Sequence, residues 1–271
     1  MILSNCHTHS QFCDGKSTME DMVLSAISKG FVSLGFTAHG RQTFDFDYAM
    51  DAERERAYCA EFKRLKALYG DKIRLYLGVE RDLFSDTDCR EYDYFIGSVH
   101  CLYTSGGFIT LDHNREQSLR LLQGEFDGDV NAFVKAYFRE VASMVTAFHP
   151  PIVGHFDLIL KYLRDQIDTT APVYRKYAGE ALEAAKAVGC VLEVNTGGMA
   201  RANQPLPYPE PWALRRFHDL GGQVTVSSDC HQANLLDTHF YEMPAYLHEA
   251  GFHEILRLNA GDGELFEVVK V

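Results

Sequence analysis

Short apolar runs alternate with longer amphipathic stretches along this chain, and most of the runs end on residues able to do chemistry. Ile2-Leu3 leads into Cys6-His7-Thr8-His9, residues 32–36 into Thr37-Ala38-His39-Gly40, 73–79 into Glu80, and 94–99 into His100. Ile152-Val153-Gly154 delivers His155, 190–194 runs into Asn195-Thr196-Gly197-Gly198, and 223–226 into Ser227-Ser228-Asp229-Cys230-His231. Their lengths and their Gly and Pro borders predict seven short strands. Helical periodicity fills most of the gaps. Ser17 or Thr18 can cap a helix with the stripe Met22, Val23, Ala26 and Ile27, stopped by Gly30. Residues 48–69 read as a charged helix, and Asp129 can cap a long one through Val130, Phe133, Val134, Tyr137, Phe138, Val141 and Val145. Further helices are predicted over 172–188, 212–220 and around 241–250, with Gly189 and Gly221-Gly222 as stops. An excursion strand at 108–111, a polar loop with a short helix at 116–122, and an apolar end at 265–271 complete the pattern.

This repetition is the signature of parallel βα units, and a length of 271 residues favours an α/β barrel over an open sheet. A doubly wound sheet wants a glycine-rich first turn, where this chain has His7-Thr8-His9. We expect one domain over 1–271.

Barrels of this kind place their chemistry at the C-terminal ends of the strands. His7, His9, Asp14, His39, Glu80, His100, His155, Asp229 and His231 all follow a strand or close turn at that end, and they take six of the twelve histidines. On an extended backbone, residues i and i+2 point to one side, so His7 and His9 can meet one ion. Imidazole and carboxylate together suit zinc, manganese or iron, and so few thiolates argue against a structural zinc knot. Nine ligands with one bridging carboxylate can serve three divalent ions, and Glu80 is the natural bridge. His113, His149, His218, His239, His248 and His253 fall outside the pattern and read as structural, as does Trp212. Asp157 could either orient a ligating histidine or cap the segment after it.

Charge and composition narrow the partners. A formal charge of −12 argues against a protein that coats nucleic acid, which lysine and arginine excess would require. No stretch approaches the roughly 20 apolar residues of a membrane span, and the N-terminal residues lack the pattern of a signal peptide. Seven cysteines without a CxxC pair read as reduced thiols in a cytoplasmic protein.

The order HTH…D…H…E…H…H…D-x-H resembles the polymerase-and-histidinol-phosphatase (PHP) superfamily, and most closely its stand-alone histidinol-phosphate phosphatases. The resemblance rests on His7-Thr8-His9-Ser10 with Cys13-Asp14-Gly15-Lys16, Gly78-Val79-Glu80 and Gly97-Ser98-Val99-His100. Gly154-His155-Phe156-Asp157, Glu193-Val194-Asn195-Thr196 and Ser228-Asp229-Cys230-His231 extend it to about residue 231. It implies a distorted (β/α)7 barrel with a trinuclear site. Carried over by motif, His7, His9, Glu80 and Asp229 hold the first ion, Glu80, His100 and His155 the second, and Asp14, His39 and His231 the third. Two departures stand out: Ala38 replaces an acidic residue common in relatives, and Leu160-Lys161 stands where the phosphatases tend to carry an arginine.

The expected reaction is hydrolysis of a small phosphate monoester, L-histidinol phosphate in histidine biosynthesis. The nucleophile is a metal-bridging hydroxide held by His7, His9, Glu80 and Asp229, with no covalent intermediate. The alternatives are another small phosphorylated metabolite or nucleotide as substrate, or a non-catalytic metal-binding module. Arg201 is the first candidate to hold the phosphate and Lys161 the second, ahead of Lys16, Arg41 and Arg164. Arg201→Ala is expected to raise KM and leave metal content intact. The sequence names no acid for the leaving group and no oligomeric state.

Overall fold

A computed structural model of the chain describes residues 2–42 and 48–271. In chain order its strands are β1 (Ser4–Asn5), β2 (Ser33–Phe36), β3 (Arg74–Asp82), β4 (Tyr94–Ser98), β5 (Cys101–Thr104), β6 (Gly107–Thr110), β7 (Ile152–Val153), β8 (Val191–Asn195), β9 (Gln223–Ser227), β10 (Glu254–Leu258) and β11 (Phe266–Lys270). Seven of them form one all-parallel sheet in the order β1-β2-β3-β4-β7-β8-β9, curled into a nearly closed barrel. These are the seven runs expected from sequence. β3 is long because it serves two neighbours in turn: Arg74 to Leu77 pair with β2, and Gly78 to Asp82 pair with β4. That stagger is the shear a barrel needs to close.

The seam between β9 and β1 has no ladder. Side chains close it instead. Asn5 Nδ2 donates to Ser228 Oγ at 2.6 Å, Ser228 N donates to Asn5 Oδ1 at 3.4 Å, and beyond the strand ends a lone bridge joins Thr8 to Cys230. This is the distortion that the resemblance implied.

The helices are α1 (Met19–Ser28), α2 (Ala52–Tyr69), α3 (Arg115–Glu125), α4 (Val130–Phe148), α5 (Leu160–Leu163), α6 (Pro172–Ala187), α7 (Gly197–Ala202), α8 (Pro211–Asp219) and α9 (Met243–Glu249). Thr18 makes a capping box with Asp21, and Asp129 accepts from Asn131 N and Ala132 N. α4 buries Phe133, Val134, Tyr137, Phe138, Val141, Met144 and Val145, each large apolar side chain contributing about 1.5–3 kcal/mol. α2 begins at Ala52, capped by Asp51, so Tyr48 lies outside the helix expected over 48–69.

Two elements add to the expectation. The excursion at 108–111 is one arm of the β5–β6 hairpin, and the apolar end pairs antiparallel with β10, a strand the pattern did not reveal. The β10–β11 hairpin meets the start of β2, where Ser33 Oγ donates to Leu258 O at 2.6 Å. Leu258 then joins Cys6, Tyr76, Tyr94, Ile96 and Ile152 in a separate buried cluster. Tyr94 fills space that Gly35 and Gly78 leave, since a Cβ on Gly78 would come within 2.7 Å of its ring. Among the described residues, no helix is long and apolar enough to cross a membrane. No disulfide joins the cysteines among the described residues.

Candidate metal centre

The parallel strands all point the same way, so the residues that follow them converge on one rim. β1 delivers His7 and His9, β2 delivers His39, and Glu80 projects from β3 itself. β4 leads to His100, β7 to His155, and β9 to Asp229 and His231. Asp14 is brought in by the turn after His9, where Gly15 N and Cys13 N both donate to Ser10 O. A Cβ on Gly15 would come within 2.4 Å of Ser10 N, so this turn excludes a side chain there. Asp229 sits at φ +46°, a strained backbone for a residue with a side chain, of the kind that gathers at functional sites.

All nine sequence-predicted ligands come together. Glu80 is the hub. Its Oε1 lies 2.8 Å from His155 Nε2 and 3.2 Å from His100 Nε2. Its Oε2 lies 3.4 Å from His7 Nε2, 3.5 Å from His9 Nε2 and 2.9 Å from His39 Nδ1. Asp229 Oδ1 is 3.7 Å from His7 Nε2 and 3.2 Å from His9 Nε2. On the outer side, Asp14 Oδ1 is 3.7 Å from His39 Nε2 and Asp14 Oδ2 is 3.1 Å from His231 Nε2. His9 also joins that outer group, a sharing that the sequence did not suggest.

The donor atoms fit divalent cations. His7 Nε2, His9 Nε2, His39 Nδ1 and Glu80 Oε2 are buried without a hydrogen-bond partner among the described residues. Leaving such groups unpaired is costly, and a cation among them removes that cost. Burial, followed by the charges of His231 and His39, pushes the His9 imidazole down to about 3, leaving it neutral with a lone pair to give. Burial would push Glu80 up, but His100, His7 and His39 hold it well below the usual carboxylate range. Burial likewise opposes a proton on His7, yet Glu193, Asp229 and Glu80 raise it well above its ordinary value. A site that draws a proton so strongly also suits a metal ion.

The residues that orient the ligands were less visible in the sequence. Glu193, on β8, takes His7 Nδ1 at 2.6 Å, His155 N at 2.7 Å, Asn195 Nδ2 at 2.9 Å and Ser227 Oγ at 2.5 Å. Asp82, on β3, accepts His100 N at 2.7 Å and faces His100 Nδ1 at 3.2 Å. Ser98 Oγ donates to Glu80 Oε1 at 2.6 Å. The available signal was a carboxylate inside an apolar strand, a position that burial alone makes expensive. Asp157 accepts Glu210 N at 2.8 Å and Tyr174 Oη at 3.1 Å, which braces the backbone before α8 rather than a histidine ring. With Ala38 before it, His39 packs instead edge-on to Tyr48, ring centroids 4.8 Å apart.

Asp14, His39, Glu80, His100, His155, Asp229 and His231 line a cleft of about 540 Å³ that Lys16, Lys161 and Arg201 also face. Arg201, in α7, donates from Nη2 to Asp229 Oδ2 at 2.6 Å and from Nη1 toward the His231 ring. Lys161, in α5, is held by Asp112 Oδ2 at 3.0 Å. Arg164 bonds Gln204, and Arg41 pairs with Glu55 and Asp86, so neither borders the cleft.

A PHP domain model matches residues 5–197. A probable histidinol-phosphatase of Schizosaccharomyces pombe is 26% identical, the match covering 97% of this chain and 92% of that protein. The crystal structure of a putative histidinol phosphatase from Listeria monocytogenes superimposes with a TM-score of 0.75 at 20% identity, over 88% of this chain and 99% of that one. The histidinol phosphate phosphatase of Lactococcus lactis, solved with zinc, L-histidinol and phosphate, gives 0.66 at 21% identity, over 97% and 98%. Both share the barrel. With most of its length matched and the ligands gathered at the barrel rim, the chain belongs to the PHP domain family.

Proposed function

We propose that this protein is a metal-dependent phosphoric monoester hydrolase that converts L-histidinol phosphate to L-histidinol and phosphate in histidine biosynthesis. One observation carries the reading: partnerless ligand atoms surround Glu80 in the same cleft that Arg201 and Lys161 face. The Lactococcus lactis relative, solved with zinc and both reaction products, supports the substrate and the metal class.

In this assignment His7, His9, Glu80 and Asp229 hold one ion, Glu80, His100 and His155 a second, and Asp14, His39 and His231 a third, of zinc, manganese or iron. When bound, such ions supply an acidic water as nucleophile and neutralise charge on the phosphoryl oxygens. The chain's own residues position the reactants. Glu193 and Asp82 fix the rings of His7 and His100. Arg201, whose Nη atoms face Asp229 and His231, has a planar fork suited to two phosphate oxygens, while Lys161, paired with Asp112, has a single point charge. Cysteines without disulfides suit a reducing compartment, so we place the enzyme in the cytoplasm, acting as one domain over 1–271 on a small soluble substrate.

The test is phosphate release from L-histidinol phosphate beside a panel of phosphomonoesters, with manganese- or zinc-loaded enzyme and a chelated control. Chelator-sensitive turnover confined to histidinol phosphate supports the reading. Metal-dependent preference for another ester keeps the metal site and discards the substrate. Silence with metals bound favours a non-catalytic module.

A further inference from the structure

The metal ligands and Arg201 account for the nucleophile and for the charged oxygens of a phosphate, but not for the oxygen that leaves. Tyr208 is a buried cleft residue to which neither role has been given. It lines the cleft, its side chain is buried, and its hydroxyl has no hydrogen-bond partner among the described residues. Apart from atoms of the ligand residues His39, Glu80 and His155, no other buried cleft-lining atom is left so among the described residues. The hydroxyl of Tyr48, by contrast, is engaged by Gln42 at 2.8 Å, and the ammonium of Lys161 by Asp112.

Several contacts fix where the Tyr208 hydroxyl points. Its backbone pairs in both directions with Asn195 at the end of β8, at 2.8 and 2.9 Å. Its ring stands edge-on to His155, centroids 6.5 Å apart. A Cβ on Gly198 would come 2.8 Å from Tyr208 Oη, and a Cβ on Gly197 would come 3.0 Å from Arg201 Nη2. The two glycines therefore let a neutral donor and a forked cation share one wall of the cleft, beside a ligand of the metal centre.

We propose that Tyr208 is a catalytic residue whose hydroxyl hydrogen-bonds the ester oxygen of the substrate and protonates it as the P–O bond breaks. This rests on the phosphomonoester-hydrolase reading above. The non-bridging oxygens are charged before reaction and match cations. The ester oxygen becomes charged only as it leaves, and a neutral donor that holds nothing else stabilises that change selectively. A phenol is protonated at neutral pH. The electron pair of the breaking bond goes to the ester oxygen, the Tyr208 proton converts it to the alcohol, and the tyrosinate recovers from solvent the proton that the attacking water released.

Tyr208→Phe tests this, because it keeps the ring and the Asn195 pairing and removes only the hydroxyl. kcat/KM is measured on L-histidinol phosphate and on 4-nitrophenyl phosphate, with bound metal and inorganic-phosphate affinity determined alongside. The alkyl ester should lose about 100-fold or more, the range of general acid catalysis. The nitrophenyl ester should change little, because nitrophenolate departs without a proton. Metal content and phosphate affinity should stay as in the wild type. Equal losses on both esters, no loss on either, or loss of metal would each overturn the proposal. If the wild type rejects L-histidinol phosphate but hydrolyses another alkyl ester, the substrate reading fails alone and the comparison is made with that ester. A wild type inactive on every monoester overturns both.

Discussion

His7 Nδ1 lies 2.6 Å from Glu193 Oε1, with both side chains fully buried. The same carboxylate holds the backbone N–H of His155, so one residue on β8 orients ligands that follow two other strands. Glu193→Gln keeps the shape but weakens the acceptor facing His7. We expect metal affinity to fall about 10- to 100-fold, as for other partners of ligating histidines. Competition with a calibrated chelator checks this, and unchanged affinity would remove Glu193 from the centre.

Arg201 and Lys161 should separate cleanly. From sequence alone Arg201→Ala is expected to spare the metals, but its 2.6 Å bond to Asp229 changes that expectation. The variant should raise KM and also loosen the ion that Asp229 would help to hold. Losing a charged hydrogen bond of roughly 1.5–3 kcal/mol corresponds to about a 10- to 100-fold fall in kcat/KM. Lys161→Met should cost less, because its ammonium, paired with Asp112, is a point charge without the two-oxygen fork of Arg201 and touches no candidate metal ligand among the described residues. Equal effects in steady-state kinetics would contradict this ranking.

The barrel interior depends on glycine at position 35. A Cβ there would come 2.0 Å from Tyr94 Oη, which donates to Cys6 O at 2.6 Å, immediately before His7. Gly35→Ala should therefore destabilise the fold by about 1–3 kcal/mol through overpacking. Gly124, in α3, meets nothing within 4 Å, so Gly124→Ala should be neutral or stabilising by roughly 0.5–1 kcal/mol. Denaturant midpoints of the two variants give the comparison.

Burial pushes the Cys190 thiol up to about 11, from an ordinary value of 9.0. The unfolded chain then loses this proton first, so proton release favours unfolding. Stability from this residue is intact below pH 9 and falls as pH rises through 11. Cys190→Ser should flatten that part of the profile, read as the difference in denaturation midpoint between wild type and variant from pH 8 to 11. An identical pH dependence would exclude the effect.

The barrel was legible because strands buried on both faces read as continuous apolar runs, and because parallel strands put whatever follows them at one rim. That logic picked out, without coordinates, the nine candidate ligands from His7 to His231 that the barrel brings to one rim. It missed β10, a five-residue strand with Glu254 exposed and Arg257 half-buried, and its partner β11, which alternates weakly. It also left Glu193, Asp82 and Tyr208 without roles, and gave Asp157 two that the fold does not use. Local pattern reports which residues can ligate, because ligation depends on residue type and strand position. Which carboxylate braces which ring, that Arg201 is tied to Asp229, and that the β9–β1 seam closes through Asn5 are facts of packing between segments more than 180 residues apart in several cases. Only the closed barrel brings such segments into contact, so only the tertiary structure could decide them.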